Sequence, residues 1–327
     1  MKRAAVTEQP YRADRKGDNV MDTVNGKCHR DDEELRDSMQ GQESKGLVHI
    51  SQYLDDSLEQ TDQLPKEDHS IIGIPTGFVN IDRRTGGMYP AYLIVIAARP
   101  GMGKTSFALN IAENAAICFG KKVAIFNLEM SGIQIANRLL SSRAEVSSEK
   151  LKKGCLSDND RGKVADAFVK LSRANIYIDD TPNITVTEIG VRCRKLMLEH
   201  GLDLVVIDYL QLLNISSNNV GTRMQEISEI SRTLKILAND LHIPIILLSQ
   251  LSRIPEKGQR EPVLSDLRDS GALEQDADVV MFLYREDYYK EDAEKPDKTK
   301  CKIAKNRNGE VGYEYLAWQG EYAKFSV

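Results

Sequence analysis

Eight consecutive residues, ARPGMGKT from Ala98 to Thr105, carry the pattern that most directly implies chemistry. Gly103, Lys104 and Thr105 fill the last three positions of G-x-x-x-x-G-K-[ST], and Ala98 stands where the pattern has its first glycine. A loop of this kind wraps a phosphate in backbone N–H groups, and glycine at 101 and 103 lets the main chain approach without a Cβ. Lys104 supplies positive charge to the β- and γ-phosphates, and the Thr105 hydroxyl ligates Mg2+. Arg99, Pro100, Met102 and Ser106 complete the candidate nucleotide-binding set. The competing reading is a glycine-rich turn that contains a lysine by chance.

Three polar residues close apolar runs elsewhere in the chain. Asp208 ends LVVID, at the strand terminus where open α/β sheets hold their ligands, and a carboxylate there can hold the magnesium. Glu129 ends VAIFNLE and is a candidate base for the attacking water; an acid favoured by a helix dipole explains it almost as well. Gln250 ends PIILLSQ and either senses the γ-phosphate or satisfies loop backbone. Spacing decides neither. Near the C-terminus, KTKCKIAKNRNGE gathers Lys298, Lys300, Lys302, Lys305 and Arg307 before an Asn-Gly turn. Such a run is commonly a solvated face. The phosphate-loop site, however, has no obvious arginine in its own motifs to neutralise charge developing on the γ-phosphate, and a neighbour's arginine would meet that need.

The elements that must position these residues alternate. LIVIAA reads as a strand buried on both faces and Lys104 to about Phe119 as the helix after the loop. KKVAIFNLE, NIYIDD, LDLVVIDYLQLL and HIPIILLSQL read as further strands. SGIQIANRLLSSRA, capped by Ser131, and TVTEIGVRCRKLMLEH read as helices, and Met224, Ile227, Ile230, Leu234, Leu237 and Leu241 stripe a long one. DVVMFLYR, KCKIAKNR, GYEYLAW and YAKFSV form an antiparallel extension. The expected class is α/β: a mainly parallel central sheet flanked by helices, with antiparallel C-terminal strands.

Composition removes several alternatives. With 327 residues and 41% hydrophobic content, the chain can bury one large core. No run of about 18 apolar residues and no signal peptide is present, which predicts a cytoplasmic protein without a membrane span. Five scattered cysteines, none in a C-x-x-C pair, argue against a disulfide framework and a zinc site. A net charge of −5 excludes a broad basic coat for nucleic acid, though not contact through a few loops. Residues 1–46 are polar and aperiodic, which predicts disorder. Leu47, Ile50, Tyr53, Leu54 and Leu58 mark a short amphipathic helix, and 47–70 is read as that helix with a polar connector to a body at 71–327.

Together these residues resemble the C-terminal motor domain of bacterial and phage replicative helicases of the DnaB type, within the RecA-like P-loop superfamily. The likeness covers about Ile71 to Val327 and rests on GIPTGF at 73–78, ARPGMGKT at 98–105, NLEMS at 127–131, VVIDYLQLL at 205–213, LLSQLSR at 247–253, SDLRDSGALEQDAD at 265–278 and KNRNG at 305–309. In that family an alanine ordinarily begins the phosphate loop. The resemblance implies an ATP hydrolase that binds ATP and Mg2+ through Lys104 and Thr105, with Asp208 on the metal, Glu129 activating water and Gln250 coupling nucleotide state to DNA loops. It implies that Lys305 and Arg307 act in trans on the adjacent subunit of a homo-hexamer. It also implies that Arg268, Asp269 and Gly271 hold the backbone of single-stranded DNA. For Arg268 the competing reading is a surface salt bridge with Asp266 or Asp269. The implied activity is 5'–3' translocation on single-stranded DNA and unwinding at a replication fork. The alternatives are a RecA- or RadA-like recombination ATPase and a truncated ring component that binds ATP without unwinding. Family members usually carry a folded N-terminal domain that contacts primase. Only the polar tail stands before the linker helix here, which leaves primase and a helicase loader open as partners.

Overall fold

The computed structural model describes residues 71–213, 222–251, 260–286, 288 and 298–327, together with 47, 49–51 and 54; for 268–270 it describes the backbone alone. The chain divides into two units, Met1–Pro65 and Lys66–Val327. In the first, Ile50, Ser51 and Leu54 are helical, as the 47–58 periodicity predicts. The remainder of that helix, its connector up to residue 70 and the disordered tail expected over 1–46 lie outside the described residues.

Unit two is built on a nine-stranded sheet in the order β3-β2-β4-β5-β1-β6-β7-β8-β9. The strands are β1 Leu93–Ala98, β2 Val123–Asn127, β3 Ile176–Asp179, β4 Leu204–Asp208, β5 Ile245–Gln250, β6 Val279–Arg285, β7 Lys298–Asn306, β8 Gly312–Gln319 and β9 Lys324–Ser326. From β3 to β6 every pairing is parallel, and from β6 to β9 every pairing is antiparallel. All six residues of β1 are buried, because a central parallel strand is covered on both faces. Its period-two alternation sends Ile94, Ile96 and Ala98 into one core and Leu93, Val95 and Ala97 into the other.

The first core is filled by α1 (Val79–Thr85), α2 (Lys104–Cys118) and α3 (Gly132–Ala144), and the second by α6 (Val186–Glu199) and α7 (Arg223–Leu241). Helices α4 (Ser148–Lys153) and α5 (Asp158–Ser172) lie between α3 and β3 in the chain, and α8 (Gly271–Asp276) precedes β6. Ser131 caps α3 as expected, with the Gln134 side chain returning the bond in a capping box.

Three expectations need adjustment. The run from Leu204 to Leu213 is not one strand: β4 stops at Asp208, beyond which neither β2 nor β5 offers a partner. The chain then folds into a 3-10 turn at Leu210–Leu212, and Leu210 and Leu213 bury themselves completely in the second core. The stretch after Phe78, to which sequence assigned no element, contains α1, whose Ile81 is wholly buried. On α7 the stripe is buried from Ile227 onward, while Met224 at its first turn is 54% exposed. Of the cysteines described, Cys193 and Cys301 are buried, Cys118 and Cys155 are exposed, and all four are free thiols.

Candidate nucleotide site

Parallel strands deliver their C-terminal residues to one sheet edge, and the register here brings the expected groups together. Ala98 lies opposite Gln250 across β1 and β5, and Asn127 lies opposite Asp208 across β2 and β4. The loop after β1 turns through Gly101 and Gly103, at φ 81° and 88°, into the left-handed region that favours glycine. At Gly103 a Cβ would also fall 2.8 Å from Cζ of Phe325 on β9, so the antiparallel extension supports the loop from behind. Met102 is buried and its side chain lies in the first core, unlike the rest of the expected set from Ala98 to Ser106, which lines a cavity of about 510 Å3. Helix α2 begins at Lys104 with no acidic residue in its first turn, which leaves its N-terminus suited to an anion.

Beneath this loop the Thr105 hydroxyl donates to Oδ2 of Asp208 at 2.6 Å, and Nζ of Lys104 stands 3.8 Å from Oδ1. Burial lowers the Lys104 pKa, while the nearby Asp208 and Glu129 carboxylates pull it back up. Oδ1 of Asp208 is buried and has no hydrogen-bond partner. A hydroxyl and an under-satisfied carboxylate are hard oxygen donors, and this pair fits Mg2+ shared with substrate phosphates. Among the described residues no group of three or more His, Cys, Asp or Glu forms a ready-made metal cage. Glu129 and Gln250 both line the cavity. Gln250 also lines a second cavity of about 490 Å3, so one residue bounds both.

Several functional neighbours carry no signal in spacing. Asn127 is 1% exposed at the end of β2; its Nδ2 donates to Asp208 at 3.3 Å, and its Oδ1 accepts from the backbone of Glu129 at 3.0 Å and Met130 at 2.7 Å. One amide therefore orients both acidic groups. A buried asparagine at a strand end is the trace it leaves in sequence. The Tyr209 ring lies 4.5 Å from Nζ of Lys104. Arg99 of the loop lines the cavity with its Nη1 donating to the Leu251 carbonyl at 2.9 Å, and Arg138 on α3 and Lys152 on α4 reach the cavity from outside the motifs.

The basic C-terminal residues are placed elsewhere. Nζ of Lys300 pairs with Glu261 at 2.7 Å and lies 4.0 Å over the Tyr313 ring, and Lys302 stands 4.0 Å from the same carboxylate. Lys298 is exposed at the start of β7. Lys305 donates to the backbone carbonyls of Glu274 and Gln275 at 2.6 and 3.1 Å; burial and the Arg307 charge lower its pKa. Arg307 stands 3.2 Å from Asp278, which exchanges hydrogen bonds with the Leu93 backbone and precedes β6. Lys305 and Arg307 line neither cavity. They sit at the beginning of β1, separated from the loop at its end by about 16 Å of strand.

Arg268 and Asp269 lie at the end of a 3-10 segment, Leu264–Ser270, and their side chains are outside the described residues. Asp266, one suggested partner of Arg268, accepts from both terminal nitrogens of Arg260 at 2.7 Å. Gly271 opens α8 with ordinary helical φ of −53°, and a Cβ added there would meet nothing within 4 Å. The fold does not require glycine at that position.

Comparison with known proteins agrees with this fold. The DnaB-like helicase C terminal domain family matches residues 73–327. The replicative DNA helicase DnaB of Geobacillus stearothermophilus is 47% identical over 295 residues, which cover 90% of this chain and 65% of that protein. The replicative DNA helicase DnaC of Bacillus subtilis (strain 168) is 45% identical over 287 residues, covering 88% and 63%. The chain thus spans less than two thirds of the length of these two relatives. Among solved structures, an ATPase domain superposes with a TM-score of 0.81 at 38% identity, covering 86% of this chain and 99% of that one. A DnaB-like replicative helicase, solved with attention to its interactions with primase, gives 0.81 at 37% identity, covering 94% and 73%.

Proposed function

We propose a function from one premise: the chain belongs to the DnaB-like helicase C-terminal domain family. Its fold is the RecA-like one of that family. The chain is the motor of an ATP-dependent replicative DNA helicase that assembles as a homo-hexamer in the cytoplasm. It moves 5' to 3' along single-stranded DNA, and each of its nucleotide sites is completed by the next subunit. Among the described residues no helix is long and apolar enough to cross a membrane.

One observation carries the shared-site reading. A nucleotide cradle stands at one edge of the sheet, and the basic pair Lys305 and Arg307 stands at the opposite edge, about 16 Å of strand away. An arginine side chain does not span that distance, which supports the reading that these residues serve a phosphate on another copy.

Within the site the backbone N–H groups from Gly101 to Thr105 and the Lys104 ammonium bind the β- and γ-phosphates. The Thr105 hydroxyl and the Asp208 carboxylate would hold Mg2+, which when bound neutralises charge on the phosphate oxygens. Glu129, held through its backbone by Asn127, orients the attacking water and accepts its proton as the oxygen adds to the γ-phosphorus and the bond to the β–γ bridging oxygen breaks, with ADP leaving on that oxygen. Gln250 borders the γ-phosphate side and carries its occupancy to the segment beyond β5. The neighbour's Arg307, with Lys305, meets the charge that develops on the transferred group.

For DNA, Arg268, Asp269 and Gly271 hold the backbone of the single strand without reading base, and repetition around a ring supplies affinity despite the net charge of −5. Primase and a loader are the partners proposed for the whole assembly, by analogy with the relatives. Arg307→Ala tests this account in the purified chain with DNA. DNA-stimulated ATP hydrolysis is expected to fall at least about 1,000-fold while binding of a fluorescent nucleotide is kept. Retained hydrolysis would overturn the in-trans assignment.

A further inference from the structure

The carboxylate of Asp278 is 2% exposed, and its two oxygens have different partners. Oδ2 accepts from the backbone N–H of Leu93 at 2.8 Å and from Nζ of Lys235 on α7 at 2.6 Å. Oδ1 faces Nη1 of Arg307 at 3.2 Å. The two cations are held unequally. Lys235 is 20% exposed and also donates to the Ala91 carbonyl at 2.8 Å, whereas the Arg307 side chain is 53% exposed and one main-chain bond, from its N–H to the Asp278 carbonyl, fixes its base. The turn that carries Arg307 is pinned on both sides: Asn306 donates to the Arg84 carbonyl, and Asn308 bonds the Tyr92 hydroxyl.

A buried carboxylate that loses its only counter-cation is strongly disfavoured. With Lys235 on the other oxygen, departure of the Arg307 guanidinium leaves Asp278 still paired. We propose that Asp278 is the positioning residue of Arg307. Its Oδ1 holds the guanidinium at the β7–β8 turn until a neighbouring subunit's nucleotide takes it, and Lys235 keeps the carboxylate compensated while the arginine is away. This rests on the reading that Arg307 serves the adjacent site, and it adds a docked state and the residue pair that sets its strength.

Lys235→Gln is the informative change, since it removes the charge while keeping a hydrogen-bond donor on a side chain one atom shorter. Among the described residues Arg307 then becomes the one cation paired directly with Asp278, with Lys305 acting on it only at longer range, and it leaves at a greater energetic cost. DNA-stimulated kcat is expected to fall about tenfold, with the KM for ATP and fluorescent-nucleotide affinity within about threefold of the parent. Adding Asp278→Asn in the same chain removes the charge that retains the arginine while keeping an acceptor for Leu93. This second change is expected to restore kcat to within about threefold.

A purely structural role for the pair predicts the opposite, a double variant no faster than the single one, and that result would overturn the proposal. Should Lys235→Gln not fold, Lys235→Met is put through the same pair of measurements. Arg307→Ala run in parallel separates the two failures. If it retains hydrolysis, the in-trans reading is wrong; if it is inactive and the double variant shows no recovery, only the docking proposal is wrong.

Discussion

At the scale of single residues, the chemistry is concentrated in groups whose types are constrained by phosphate and metal. Sequence offered Lys104, Thr105, Glu129, Asp208 and Gln250 as candidates, with rival readings left open by spacing for Glu129 and Gln250, and the fold brings all five to one edge of the sheet. Asn127 was not legible there, because an amide that acts by orienting two neighbours has no spacing of its own. Its removal is nevertheless expected to be felt. Asn127→Ala leaves the N–H groups of Glu129 and Met130 without their acceptor and loosens the proposed base, so kcat should fall about 10- to 100-fold with nucleotide affinity nearly unchanged. Steady-state kinetics alongside nucleotide titration checks this, and a loss confined to affinity would contradict it.

Glu113, buried on α2, makes a separate prediction. Burial raises its carboxyl pKa from 4.5 to about 7, against the opposing pull of Arg143 at 3.6 Å, of Lys324 and of the Ser142 hydroxyl. The folded state therefore holds this proton more tightly than the unfolded chain. The group's contribution to stability falls as pH rises from about 4.5 to about 7 and stays low above that. Glu113→Gln removes the dependence. Relative to the parent it should gain up to about 3 kcal/mol in urea unfolding on going from pH 4.5 to pH 8. A pH-independent difference would show that the proton is not bound there.

At the scale of elements, the parallel core followed its hydrophobic runs closely, since strands buried on both faces have little freedom in what they display. Departures came where apolar residues were buried without a strand. Leu210 and Leu213 continue the run of β4 in composition yet pack as a turn, because the sheet partners end at Asp208. Helix α1 was hidden by flanking glycines. Its Asp82 carboxylate, accepting from the backbone and hydroxyl of Thr76 and the backbone of Gly77, shows that local hydrogen bonds and not a long periodic stripe define it. Helix α8 supplies an element-level test. Gly271 has helical dihedrals and open space above it, so Gly271→Ala should leave thermal stability unchanged or slightly raised. Affinity for single-stranded DNA should fall if a phosphate approaches that backbone, and unchanged affinity would remove Gly271 from the DNA site.

At the scale of the whole molecule, the proposed reaction has its two halves at the two edges of one sheet. The cradle lies where β1 ends, and Arg307 lies where β1 begins. Sequence marked both sets of residues, but the distance between them appears only once the strand order puts Asp278 beside Leu93. The most direct test of the shared site mixes two inactive variants, Lys104→Ala and Arg307→Ala, in equal amounts before assembly on DNA. A subunit with an intact cradle then meets an intact Arg307 from a neighbour at about one interface in four, and hydrolysis is expected to return to a substantial fraction of that level. If Arg307 serves its own subunit, no intact site forms in any mixture and no activity returns.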